Sequence, residues 1–120
     1  MKTKDENEHG VFNSGMEREV VADRPTFDLM LPKGQKYEDT ILYRWAMLMA
    51  RGAKKYSARN WEKANSEEEI DRFKSSAFRH FMQWYSNEED EDHAAAILFN
   101  ITGAEYVKTK LNTHTKPKTN

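Results

Sequence analysis

Side chains that bind phosphate and side chains that stack on bases are concentrated in one short segment, residues 51–61. It holds four cations, two aromatic rings and one carboxamide. Lysine and arginine donate hydrogen bonds to phosphate oxygens, aromatic rings stack on nucleotide bases, and a carboxamide can bind a base edge or orient a water. The candidate nucleotide-binding residues are Lys54, Lys55, Tyr56, Arg59, Asn60 and Trp61. The alternative interpretation is a solvated loop whose two rings are hydrophobic anchors.

Polar side chains also occupy apolar stripes of two predicted helices. His80 lies on the stripe of the second predicted helix, with Arg79 beside it, and His93 and Asn100 share a stripe of the third at i and i+7. An unpaired buried polar group costs a few kcal/mol. We therefore expect these four residues to satisfy one another across the helix pair. Such a polar seam is either a structural network or the floor of a pocket.

All five residues of the segment 88–92 are acidic. Mg²⁺ and Mn²⁺ prefer carboxylate oxygens, and acids three or four residues apart on a helix share one face. Glu89 and Asp92 have the first spacing, and Glu89 and His93 have the second. The run is therefore a candidate metal-binding segment, and the alternative is an ordinary acidic first turn of a surface helix.

These residues must be positioned by helices, because three segments show the hydrophobic periodicity of amphipathic helices. Strand signals are weak. The predicted fold class is mainly α: a small helical bundle of about three core helices with an extended N-terminal arm and a flexible C-terminal tail. The predicted helices span residues 37–50, 66–84 and 88–107.

Local signals set the predicted helix ends. Gly52 predicts the end of the first helix. Ser66 and Glu69 have the spacing of a capping box at the start of the second, and the acidic run suits the start of the third because the helix dipole favours negative charge there. The stripe predicted to be buried on the second helix is Ile70, Phe73, Ala77, Phe81 and Trp84. The stripe predicted for the third is His93, Ile97, Asn100, Ile101, Ala104 and Val107.

The predicted domain organisation is one helical domain with two tails. Residues 1–11 are expected to be flexible, residues 12–107 to form the domain, and residues 108–120 to be a basic disordered tail with four lysines and no acid. Within the arm, the alternating segment 26–31 is either a strand or an extended piece packed on the helices.

Composition excludes several functions. The chain has 120 residues, 38% of them hydrophobic, and a net charge of −1, which argues against a dedicated, sequence-independent nucleic-acid binder. The absence of cysteine excludes disulfides and thiol catalysis. No apolar run has the length of a membrane span and no secretory signal is evident, so we expect a cytoplasmic protein. A core this small also predicts a homo-oligomer.

Blocks of this sequence resemble a family that is found mostly in phages and is described as the N-terminal domain of dATP/dGTP diphosphohydrolases. The similar blocks follow the expected order over roughly residues 12–104. Two segments are specific in combination, Gly52-Ala53-Lys54-Lys55-Tyr56 with Arg59-Asn60-Trp61, and Arg79-His80. Further similar blocks are residues 12–19, 24–29, 90–93 and Asn100.

The resemblance implies an all-α domain that acts on purine deoxynucleotides, in the cytoplasm of an infected host if the protein is phage-encoded. Related MazG-type enzymes imply Mg²⁺ or Mn²⁺ held by helix carboxylates, with a metal-activated water splitting a nucleoside triphosphate into monophosphate and pyrophosphate. By that analogy Glu89 and Asp92 bind metal, and together with His93 they form the catalytic group. The nucleotide then contacts the cationic segment together with Arg79, His80 and Asn100.

Two other functions remain open at this point. One is a non-catalytic nucleotide-binding module, such as a sponge that sequesters nucleotide signals. The other is an interaction protein whose Trp45 and Trp84 stripes make oligomer contacts. The nucleotide hypotheses both require the cationic segment and the polar seam to face a common cleft.

Overall fold

The computed structural model describes residues 9–11, 13–19 and 24–115. The chain forms two compact units, residues 1–34 and 35–120. The second unit holds three helices, so the mainly α fold class is confirmed. Residues 12–34, which were assigned by sequence to the helical domain, fall in the first unit.

The first unit contains a short antiparallel hairpin that the sequence did not predict. Strand β1 is His9–Val11 and strand β2 is Glu17–Glu19, with Gly10 opposite Arg18. Gly15 has a φ of +92° in the connection, a conformation that side chains disfavour. Strand β1 lies within residues 1–11, the segment that the sequence predicts to be flexible, and residues 1–8 lie outside the described residues.

The strand proposed for residues 26–31 is wrong. Phe27–Met30 is a 3₁₀ helix, in which the Leu29 N–H donates to the Thr26 carbonyl at 3.1 Å. The apolar side chains that suggested a strand are exposed: Phe27 is 70% and Leu29 84% accessible. Alternation predicts a strand only where one face is buried, and here neither is.

Helix α1 is Ile41–Lys55, preceded by a 3₁₀ turn over Tyr37–Asp39. The side chain of Thr40 caps it by accepting the Tyr43 N–H at 3.1 Å. The predicted stop at Gly52 is wrong, because the helix continues for three residues and the Tyr56 N–H still donates to the Gly52 carbonyl at 2.9 Å. A glycine inside a helix costs only about 1 kcal/mol. The extension places Lys54 and Lys55 in the last turn, where the dipole favours cations.

Helix α2 is Glu67–Tyr85, and its predicted capping box is present. The Glu69 N–H donates to Ser66 Oγ at 3.2 Å, and the Ser66 hydroxyl donates to the Glu69 carboxylate at 2.8 Å. That carboxylate also accepts the Asn65 backbone N–H at 2.8 Å. This backbone hydrogen bond, followed by the Ser66 hydroxyl, lowers the pKa of Glu69.

We expect Ser66→Ala to lower the free energy of unfolding by about 1 kcal/mol, because it leaves the first turn of α2 without its acceptor. Urea denaturation followed by circular dichroism measures the change. Ser75→Ala, at an exposed position inside the same helix, is the matched control and should be neutral or slightly stabilising. Equal losses in both variants would contradict a capping role.

Helix α3 is His93–Thr115, so it begins after the acidic run instead of within it. Asp92 caps it, since its carboxylate accepts the Ala95 N–H at 3.1 Å. The helix also continues through residues 108–115, which were predicted to be a disordered tail. Lys110 explains part of this extension, because its ammonium donates to the carbonyls of Glu62 and Ala64 at 2.7 and 2.8 Å. Residues 116–120 lie outside the described residues.

Helix α3 packs against both α1 and α2. A small core forms between α2, α3 and the α1–α2 connection from Ala64, Ile70, Ala104 and Val107, flanked by Phe73 and Leu111. None of the helices in the described part of the chain has the length and hydropathy of a membrane span.

The apolar stripe predicted for α2 is only partly correct. Ile70 is buried and Phe73 half-buried, but Phe81 and Trp84 are 42% and 49% exposed. His80 is the buried residue at this end of the helix, and Phe81 lies about 100° around the helix from it. On α3, Ile101 is likewise 49% exposed although it was assigned to the buried stripe.

Candidate functional site

One cleft of about 770 Å³ lies between the end of α1, the α1–α2 connection and one face of α3. Its volume falls in the range of small-molecule sites, about 300–1,000 Å³. Seven of the residues singled out by sequence line it: Lys55, Tyr56, Arg59, Asn60, Trp61, His80 and Asn100. The five that do not line it are Lys54, Arg79, Glu89, Asp92 and His93.

The connection between α1 and α2 turns sharply at Arg59, whose φ is +62°. A residue other than glycine in this left-handed conformation costs about 1 kcal/mol or more. A 3₁₀ helix, Asn60–Lys63, follows at once and returns the chain toward α2. The Arg59 guanidinium is exposed and donates to the Glu62 carboxylate at 2.6 Å. The strained backbone therefore presents an exposed cation at the cleft, and its ion-pair partner is the half-buried Glu62 carboxylate.

The two rings of the connection have different roles. Trp61 is half-buried and makes edge contacts with Phe99 and Tyr106 at centroid distances of 5.9 and 5.4 Å. It therefore anchors the connection on α3, as the loop interpretation expected, although it also lines the cleft. Tyr56 is 65% exposed, with the Lys55 ammonium 5.3 Å from its ring centroid. Tyr56 is the ring with an accessible face.

A chain of hydrogen bonds joins α2 to the start of α3. His80 Nδ1 and His93 Nδ1 are 2.8 Å apart, and both imidazoles are buried. His93 Nε2 lies 2.8 Å from Asp90 Oδ1, and Arg79 Nη2 lies 3.4 Å from His80 Nε2. The structure thus brings Arg79, His80 and His93 together across the helix pair, as expected. Asn100 is separate and donates to the Ala96 carbonyl at 2.8 Å.

Local electrostatics favours a neutral His80. Burial lowers the pKa of His80 below its ordinary 6.5, and the positive charge of Arg79 lowers it further. The His93 imidazole lowers the pKa of the Asp90 carboxyl by hydrogen bonding to it. Because that carboxylate accepts a hydrogen bond, His93 carries a proton on Nε2 and has its lone pair on Nδ1 when it is neutral.

The acidic pair predicted from helical spacing does not form one face. Residues 89–92 precede α3, so a three-residue spacing has no helical meaning there. Asp92 is instead bound to Arg44, which donates from Nε and Nη2 at 2.9 and 2.8 Å. This hydrogen bond lowers the pKa of Asp92. Glu89 belongs to neither of the groups of potential metal ligands in the described residues.

We expect Asp92→Ala to lower the free energy of unfolding by about 1.5 kcal/mol, since it removes both a helix cap and a half-exposed ion pair. Asp92→Asn keeps an acceptor for Ala95 and should cost about 0.5 kcal/mol. Because the pKa of Asp92 is lowered from 3.8, the advantage of wild type over Asp92→Asn is fully present at neutral pH. This difference in the free energy of unfolding should shrink as the pH falls below about 3.8, because the carboxylate is then protonated. Chemical denaturation repeated at several pH values measures it. Indistinguishable alanine and asparagine variants would contradict the capping role.

Sequence reasoning missed Glu91 and Arg44. Glu91 lines the cleft together with His80, and its place in the acidic run beside His93 was the available signal. Arg44 meets Asp92 across 48 positions of sequence, a pairing that no local pattern indicates.

Comparison with known proteins identifies the family. No curated protein and no solved structure matches the chain. The family model described as "dATP/dGTP diphosphohydrolase, N-terminal" matches residues 14–114, which include α1, α2, all but the last residue of α3 and every cleft residue described above. The chain therefore belongs to the family of dATP/dGTP diphosphohydrolase N-terminal domains.

Proposed function

We propose that this chain binds a purine deoxyribonucleoside triphosphate in the cleft and hydrolyses it to the monophosphate and pyrophosphate. The observation that carries the proposal is the convergence of cationic, aromatic and carboxamide side chains on one cleft of nucleotide size. The family's description supplies the reaction class and the purine preference.

The charge of the cleft suits a polyphosphate. Its lining includes three permanent cations, Arg51, Lys55 and Arg59, and one acid, Glu91. Charge-assisted hydrogen bonds to phosphate are stronger than neutral ones, and an arginine fork can bind two oxygens at once. Lys55 and Arg59 would hold the phosphate chain at the end of α1 and at the turn that follows it.

The base would lie between the tyrosine and the third helix. Tyr56 offers a largely exposed ring face for stacking. The Asn100 carboxamide donates one N–H to the Ala96 carbonyl. Its oxygen accepts no hydrogen bond within the described part of the chain. That oxygen is an acceptor for the amino or imino hydrogens of a purine edge.

Hydrolysis requires water to attack the α-phosphorus, so that a new P–O bond forms as the bond from that phosphorus to the α–β bridging oxygen breaks. Pyrophosphate leaves, and the proton that the water loses passes to solvent. Cations along the phosphates stabilise the negative charge that the pyrophosphate gains as it leaves. The carboxylate-bound Mg²⁺ or Mn²⁺ that the resemblance implies does not fit Glu89 and Asp92, because Asp92 is engaged with Arg44 and with the N-terminus of α3. The roles proposed here therefore rest on the chain's own side chains.

The test is direct product analysis. Purified protein is incubated with dGTP, dATP, dCTP and dTTP, each with Mg²⁺ and separately with Mn²⁺, and products are separated by anion-exchange chromatography. We expect monophosphate and pyrophosphate in equal amounts, faster from the two purine substrates. Absence of turnover at stoichiometric enzyme would contradict hydrolysis, and equal rates with all four would contradict the purine preference.

A non-catalytic nucleotide-binding role is the second candidate. It is favoured by one observation, that cationic, aromatic and carboxamide side chains line one cleft whereas the carboxylate of Asp92 is bound to Arg44. Under this alternative, dGTP stabilises the protein in EDTA without being consumed. A ligand at a hundredfold excess over its Kd adds about 2.7 kcal/mol to the free energy of unfolding, which thermal melting readily detects.

Self-association is part of the proposal and rests on exposed apolar side chains. On α2, the Phe81 ring lies 5.7 Å from Trp84 and 6.2 Å from Tyr85 between centroids. These three rings are 42%, 49% and 74% accessible, and contiguous exposed apolar patches mark interaction sites more often than single exposed residues do. A second copy of the chain is the proposed occupant because the core formed by one copy is small. Sedimentation equilibrium tests it: a single monomeric species at all concentrations would contradict it.

A further inference from the structure

Two buried imidazoles and one carboxylate converge beside the cleft, where α2 meets the start of α3. We propose that His80, Glu91 and His93 bind one divalent transition-metal ion. The inference rests on these side chains alone and does not depend on the nucleotide proposal.

The ligand atoms already lie close together. One nitrogen of each histidine and one carboxylate oxygen of Glu91 are all within 4.8 Å of one another. His80 and His93 are 6% and 2% accessible, whereas Glu91 is exposed and lines the cleft with His80. Three protein ligands with one side open to a cleft are the arrangement that leaves a further position for water or substrate.

The hydrogen bond of His93 prepares it as a ligand. Metal-binding histidines usually donate their second N–H to a carboxylate or a carbonyl, which fixes the tautomer and the ring orientation. His93 Nε2 makes such a contact with Asp90 Oδ1 at 2.8 Å. The lone pair of the neutral ring is then on Nδ1, the atom that faces His80.

Metal binding requires only a small rearrangement of the pair. Tetrahedral metal–nitrogen bonds of about 2.0–2.1 Å separate two nitrogen ligands by about 3.4 Å, and the two Nδ1 atoms are now 2.8 Å apart. His80 must also carry its proton on Nε2, next to Arg79. That contact is long, at 3.4 Å, and Arg79 already donates to Gln83 at 3.2 Å, so its exposed guanidinium can turn away.

The donor set selects the class of metal. Imidazole nitrogens suit zinc, iron, cobalt and nickel, whereas magnesium and calcium prefer all-oxygen ligands. A neighbouring group, Glu88, Asp90 and His93, also lies within ligand distance. We favour the group with two imidazoles because both are buried, whereas the two carboxylates of the neighbouring group are exposed.

The test uses metals as probes on the full chain. Zn²⁺ binding to protein that has been freed of metal is measured by calorimetry, and Co²⁺ reports imidazole coordination through its visible absorption bands. We expect one ion per chain, preference for Zn²⁺ or Co²⁺ over Mg²⁺, and at least tenfold weaker binding in Glu91→Gln. Glu89→Gln is the matched control, two residues away in the same acidic run, and should change the Kd less than twofold.

Further variants keep the proposal falsifiable. His93→Gln should abolish the cobalt bands, and if it fails to fold, Glu91→Gln still decides because its side chain is exposed. The proposal is overturned if Zn²⁺ and Co²⁺ do not bind, which would leave a histidine–histidine hydrogen bond only. It is also overturned if Glu88→Gln weakens binding while Glu91→Gln does not. If the chain binds metal but does not bind nucleotides, this inference is supported and the nucleotide proposal is contradicted. The two proposals are therefore tested independently.

Discussion

The double variant Lys55→Ala/Arg59→Ala should bind dGTP about 100-fold more weakly than wild type. Each side chain lines the cleft, and a hydrogen bond to a charged group contributes about 1.5–3 kcal/mol. We take the lower end for each because the Arg59 side chain is 79% exposed, and about 1.4 kcal/mol corresponds to a factor of ten in Kd. Calorimetric titration in EDTA, with the dGTP analysed afterwards to verify that it is intact, measures the loss.

A control with the same change in net charge separates contact from general electrostatics. Lys54→Ala/Lys63→Ala removes two cations next to the first pair, and neither lysine lines the cleft. We expect its Kd for dGTP to change less than threefold at physiological ionic strength, where the Debye length is about 8 Å. Similar losses in the two double variants would mean that the cations act only through their summed charge. Both variants should keep the melting temperature of wild type.

Gly103→Ala should destabilise the protein by about 2 kcal/mol, the largest effect that we expect from a single substitution on stability. A Cβ at this position would lie 2.6 Å from the Phe73 ring. That ring packs on the core and against Phe99, at a centroid distance of 5.9 Å, so it cannot withdraw without losing contacts. Overpacking costs about 1–3 kcal/mol, and the steric cost here exceeds the gain of about 1 kcal/mol from replacing a helical glycine.

The same substitution at Gly52 should change the free energy of unfolding in the opposite direction. Gly52 is also inside a helix, but nothing lies within 4 Å of the Cβ that alanine would add. Gly52→Ala should therefore stabilise the protein by about 0.5–1 kcal/mol. Urea unfolding of both variants gives the comparison. Stabilisation of the Gly103 variant would show that α2 and α3 are not in close contact at this point.

Local signals in the sequence predicted the elements better than their ends. The capping box at Ser66 was correct because all its partners lie within four residues. Gly52 was misread as a stop because propensity is a weak prior. The end of α3 was placed too early because the contacts of Lys110 with the carbonyls of Glu62 and Ala64 span more than forty positions.

Residue types in the sequence predicted part of the lining of the cleft. The cationic and aromatic segment and two of the polar residues on the helix stripes do line one cleft. The prediction that Glu89 and Asp92 share one helix face was wrong, because the helix begins only at His93. The partnership of Asp92 with Arg44, which removes this carboxylate from the candidates, depends on how α1 packs against α3 and has no local signature.

The position of a bound nucleotide tests the central claim most directly, and the three tryptophans report it. Trp61 lines the cleft, whereas Trp84 is on α2 and does not. The measurement is a titration of the protein with dGTP in EDTA, followed by ¹H–¹⁵N spectra. The indole signals are assigned from the variants Trp45→Phe and Trp84→Phe. We predict that the Trp61 indole signal shifts and that the Trp84 signal does not. A shift of Trp84 without Trp61, or no shift of either at millimolar dGTP, would contradict nucleotide binding in this cleft.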